Sequence, residues 1–73
     1  MFNTYEAAIY NQEVRDLLTN GQRHKELEDI WADLQFIEVS ATSRDQAMRR
    51  LQTRYPESRG FVITRVFGPE DHA

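Results

Sequence analysis

The segment Gln35 to Phe67 constrains the fold more than any other stretch of this chain. Gln35 to Ala41 alternates as a strand does, with Ile37, Val39 and Ala41 on one side and Phe36, Glu38 and Ser40 on the other. Ser43 then stands three residues before Gln46, the Ser-x-x-Gln box that satisfies donors at the start of a helix. The helix it opens carries Ala47, Met48, Leu51 and Tyr55 on one apolar face, and Asp45 and Arg49 as an i, i+4 ion pair. Pro56 disfavours the helical region at Tyr55 and ends the element. Glu57 to Gly60 reads as a turn, Phe61 to Phe67 as a second strand, and Gly68-Pro69 as its stop. A strand–helix–strand crossover of this kind is right-handed and leaves its two strands parallel.

Two strands make a marginal sheet. A third strand lying between them, antiparallel to both, would complete it, and Thr4 to Tyr10 is the remaining candidate. Its alternation of Tyr5, Ala7 and Ile9 with Glu6, Ala8 and Tyr10 fits a strand; Asn3 with Glu6 also fits a helix capping box. The need for a third strand decides for strand. Between these elements, Asn11 caps a short helix from Gln12 to Asn20 with Val14, Leu17 and Leu18 on one face, and Gly21 supplies a left-handed exit. Leu27, Ile30, Trp31 and Leu34 then fall at i, i+3, i+4 and i+7, the stripe of a further short helix with Trp31 as its anchor.

The expected fold is therefore α+β, in the order β-α-α-β-α-β, with a three-stranded mixed sheet and a split β-α-β unit packed by helices. It resembles a ferredoxin-like fold lacking one strand. Residues 1–67 are expected to form a single domain, and residues 68–73 an acidic, disordered tail. Strict alternation along the last strand puts Phe61, Ile63 and Phe67 on one face with Arg65, and Val62 and Val66 around Thr64 on the other. Both faces are then apolar, although the outer face of a half-covered sheet should be polar. Something has to cover it.

Size points the same way. A chain of 73 residues lies where one core supplies only about 3–5 kcal/mol of net stability. Disulfides and thiolate zinc sites are excluded because there is no cysteine, and His24 and His72 are too few for a histidine metal site. Oligomerisation is the remaining ordinary route, and a homodimer is the expectation. Trp31, Phe36, Phe61, Ile63 and Phe67 are its candidate partner or dimer contacts.

No motif for chemistry stands out. There is no nucleophile elbow and no phosphate-binding glycine loop, so no enzyme activity and no cofactor are expected. His24 and Glu28 form an i, i+4 pair, and Glu26, Asp29 and Asp33 an acidic stripe; both read as solvated helix surface. The net charge of −3 divides unevenly: residues 1–39 hold eight acidic and three basic side chains, residues 40–67 six arginines against Asp45 and Glu57. Arg49, Arg50 and Arg54 on the 44–55 helix are candidate phosphate contacts, but the overall negative charge counts against nucleic acid. The apolar runs are far shorter than the ~18–20 residues of a membrane span, and the first residues lack a basic, then apolar, leader pattern. The expectation is a small non-enzymatic accessory or protein-interaction module in the cytoplasm, with weak RNA or DNA binding as the alternative.

Overall fold

The computed structural model describes residues 1–71. Strand β1 (Asn3–Asn11) leads directly into helix α1 (Gln12–Thr19); strand β2 (Gln35–Ala41), helix α2 (Arg44–Arg54) and strand β3 (Phe61–Phe67) follow. The sheet order is β2-β1-β3, so the first strand lies between the two strands of the crossover unit. Both ladders are antiparallel, Tyr5 opposite Val39 on one side and Ala7 opposite Val66 on the other. The mixed character expected of the sheet thus reduces to two outer strands that run parallel without touching. The α+β fold expected from the sequence is otherwise the one observed, and alternation in residues 4–10 does mark a strand.

α2 covers one face. Its Ala47 and Leu51 are fully buried against Tyr5, Ala7 and Ile9 of β1 and Val39 and Ala41 of β2. Met48 and Tyr55, on the same stripe, are half-buried at its margin. Ser43 caps the helix as its spacing predicts, its hydroxyl accepting from the Gln46 N–H at 3.2 Å. The Gln46 side chain turns back one residue further than a capping box requires, accepting from the Thr42 N–H at 2.7 Å.

α1 is held at both ends. Asn11 has an extended backbone and its Oδ1 accepts from the Val14 N–H at 3.0 Å, while its Nδ2 donates across the molecule to the Arg59 carbonyl at 3.0 Å. The Gln12 N–H reaches the neighbouring Gly60 carbonyl at 2.7 Å. At the other end, Gly21 (φ +74°) closes a Schellman motif: Gln22 N–H bonds to the Leu17 carbonyl and Gly21 N–H to Leu18.

Two sequence expectations fail, for identifiable reasons. The Leu27–Leu34 stripe is not an α-helix; only Asp29–Ala32 is helical, and as a 3-10 turn. Leu27 and Trp31 pack on the core, but Ile30 and Leu34 remain 53% and 44% exposed. Side chains bond to backbone groups along this segment. His24 Nδ1 accepts from the N–H groups of Glu26 and Leu27, Arg15 Nε donates to the Ala32 carbonyl, and Gln35 Nε2 donates to the Ile30 carbonyl. A two-turn helix is too weak alone to outcompete such bonds.

The second failure is in β3. Between the pairs Ala8–Arg65 and Ile9–Ile63 the ladder shifts, leaving Thr64 as an extra residue whose hydroxyl donates to the Ala8 carbonyl at 2.9 Å. This bulge exchanges the faces of the strand's second half. Val66 turns into the core at 9% exposure, and Arg65 and Phe67 turn to the other face. Beyond β3, Pro69–Asp71 form a 3-10 turn, with the Asp71 carboxylate accepting from Gly68 N–H and Arg44. Residues 72 and 73, where the expected disordered tail ends, lie outside the described residues.

Candidate functional site: the open sheet face

The face of the sheet turned away from α2 carries no covering layer among the described residues. The strand register arranges it in rows. Phe36, Ala8 and Arg65 form one row across β2, β1 and β3; Glu38, Glu6 and Phe67 form the next; Tyr10 and Val62 lie beyond the first. Phe36 is 61% exposed, the highest value for any large apolar side chain after Met1 among the described residues. Tyr10, Val62 and Phe67 are half-buried, and Ala8 is covered by its neighbours.

The charges on this face are exposed and do not pair with one another. Glu6 and Glu38 stand directly opposite each other on adjacent strands, an arrangement that is destabilising when no cation intervenes. Neither carboxylate forms an ion pair among the described residues, and Arg65 forms none either. Arg65 lies instead over the ring of its own strand neighbour Phe67, 4.8 Å from the centroid, and Arg15 lies over Tyr10 at 3.5 Å. A hollow of about 400 Å³ opens beside Phe67, bordered by Thr4, Glu6, Glu38 and Asp71.

The five candidate contacts fall on opposite sides of the sheet. Phe36 and Phe67 belong to the open face. Phe61 is buried under the helical layer; its ring is 5.2 Å from Trp31 and 5.4 Å from Tyr55, and Trp31 and Tyr55 close the triangle at 5.6 Å. Ile63 borders that core, so Trp31, Phe61 and Ile63 hold the fold together. Glu6 and Glu38 were not singled out by sequence pattern, because their opposition depends on the register between strands some thirty residues apart.

Of the candidate phosphate contacts, Arg50 and Arg54 border one hollow and Arg49 does not. Arg50 donates to the Ser40 carbonyl of the outer strand β2 at 2.7 Å and lies over Phe2. Arg54 is exposed and shares a hollow of about 440 Å³ with Arg50, Thr53 and Glu38. Arg49 reaches its own helix carbonyl at Asp45 at 3.5 Å, rather than the Asp45 carboxylate that the i, i+4 spacing suggests. A helix arginine thus fills a backbone acceptor that an edge strand would otherwise leave open. Arg44 does the same on the opposite edge, donating to the Val66 carbonyl.

His24 and the acidic stripe also end elsewhere. Without an α-helix, His24 does not meet Glu28; its Nε2 faces Glu13 at 3.3 Å. Since Nδ1 accepts two backbone N–H groups, the ring proton sits on Nε2, and both nitrogens are committed to ordering the loop. Glu26 pairs with Arg59 and Asp29 with Arg23, so the three carboxylates are dispersed, and no group that could hold a metal ion occurs among the described residues. His24, Glu13, Glu26, Arg23 and Arg59 border a hollow of about 1020 Å³ between α1 and the 22–26 loop. No helix among the described residues is long and apolar enough to cross a membrane. No family model, curated protein or solved structure matches this chain.

Proposed function

We propose that the protein is a non-enzymatic interaction module that works by burying the open face of its sheet against another protein chain. One observation carries this reading: a sheet face that would be polar if it served only solvent instead presents Phe36, with the half-buried Phe67, Val62 and Tyr10 beside it, next to Glu6 and Glu38 that form no ion pair. A cytoplasmic setting is part of the proposal, since the absence of cysteine suits a reducing compartment.

The test is photo-crosslinking in the cell that makes the protein. A photoreactive amino acid at position 36, on the open face, is compared with one at Gln52, exposed on the helical layer. Protein adducts concentrated at position 36 support the reading. Adducts absent there, or equal at the two positions, overturn it.

A further inference from the structure

We infer that the 22–27 loop after α1 is a pH-sensitive latch, closed while the His24 ring is neutral and released when the ring takes up a proton. One ring nitrogen decides the state of the loop. His24 Nδ1 accepts from the N–H groups of both Glu26 and Leu27, each at 3.0 Å, and the His24 side chain is 14% exposed. Nδ1 can accept only in the neutral tautomer that carries its proton on Nε2; in the imidazolium both ring nitrogens donate. Protonation therefore sets an N–H against two N–H groups, and turning the ring over offers them no other acceptor.

Little else holds this backbone. Residues 23–27 make no backbone–backbone hydrogen bond among the described residues, so the histidine ring is the acceptor that folds the segment back. The charged groups around the ring do not reverse the outcome. Glu13 and Asp16 border the adjoining hollow from α1, Arg23, Lys25 and Glu26 from the loop itself, and Arg59 from the 57–59 turn. Arg59 is paired with Glu26, and Arg23 with Asp29. Glu13, 3.3 Å from Nε2, favours the cation, but it is half-exposed and already accepts from Nε2 in the neutral ring. Its added attraction is screened by solvent. Both Nδ1 bonds, by contrast, are lost outright and leave their N–H groups without an acceptor.

Histidine side chains change charge between about pH 5 and 8. The latch is closed at the upper end of that interval and released at the lower end. Release frees Leu27, which packs against the core, and loosens the Glu26–Arg59 pair beside it. The hollow of about 1020 Å³, walled by α1 on one side and by this loop on the other, then loses a wall. Neither ladder of the sheet includes the loop, so the opening is local and the strands stay paired.

Amide hydrogen exchange and NMR titration of the whole chain between about pH 8 and pH 5 test the latch. The Glu26 and Leu27 amide signals are expected to move together with the His24 ring signals, at one midpoint. Their exchange protection, corrected for the intrinsic pH dependence of exchange, is expected to fall at least about tenfold towards pH 5, while Ala7 in β1 keeps its protection. His24→Asn supplies the control: its side-chain oxygen also accepts from N–H groups two and three residues on, but it does not titrate. That variant is expected to lose the pH dependence at Glu26 and Leu27. Wild-type protection that stays the same across the interval overturns the inference. So does the same pH dependence in His24→Asn, or a loss at Ala7 as large as that in the loop, which would be acid unfolding of the whole domain.

Discussion

The side chain of Asn11 is fully buried and makes two bonds that a small domain can ill spare. Its Oδ1 caps α1 at the Val14 N–H, and its Nδ2 fastens the Arg59 carbonyl, 48 residues away. Asn11→Ala removes both. Loss of an N-cap acceptor costs about 1 kcal/mol, and a carbonyl left without its donor in a partly buried site costs about 1–2 kcal/mol more. For a domain of this size, about 2–3 kcal/mol lowers the melting temperature by roughly 10–20 °C. Thermal and urea unfolding, followed by circular dichroism and by the fluorescence of Trp31, measure the change. The decisive comparison is Asn11→Asp. Aspartate caps helices as well as asparagine does, but it has no N–H for Arg59 and would set a buried carboxylate oxygen against that carbonyl. If Asn11 acted only as a cap, Asn11→Asp would be neutral. The expectation is a loss as large as that of alanine or larger, and an aspartate variant as stable as wild type would refute the two-bond account.

Gly60→Ala attacks the same junction from the other side. Gly60 has φ +90°, and an added Cβ would lie 2.7 Å from Glu13 Cγ and 2.9 Å from Asn11 Oδ1. The strained backbone alone costs about 1–3 kcal/mol, and the buried Asn11 has nowhere to move, so the urea midpoint should fall at least as far as in Asn11→Ala. Changing Arg49, Arg50 and Arg54 together to glutamate tests the phosphate alternative. Wild type should give no mobility shift with RNA or DNA even at low salt, and a shift abolished by the triple change would favour nucleic-acid binding instead.

The signals that proved legible in the sequence are those enforced by neighbours in the chain. Asn11 and Ser43 cap helices because their side chains reach N–H groups three residues on. Gly21 ends α1 and Pro56 follows α2 through backbone angles that belong to the residue itself. Alternation placed Tyr5, Ala7 and Ile9 on the buried side, and the demand for a third strand resolved what Asn3 and Glu6 left open. Trp31, by contrast, sits in the core as an anchor should, yet on a 3-10 turn and not on the helix that its spacing implied.

What only the tertiary structure decided are the features made by bonds between distant segments. Period-two alternation cannot show a bulge; at this one Thr64 is the extra residue, and its hydroxyl meets the Ala8 carbonyl, 56 positions earlier. The bulge turns Val66 inward and Arg65 and Phe67 outward, and so puts Arg65 on the open face. The acidic row likewise exists only once β1 and β2 are in register, which brings Glu6 opposite Glu38. Local backbone preference is written residue by residue and can be read that way. The surface proposed to bind a partner is a product of strand register, and register is settled only when the strands pair.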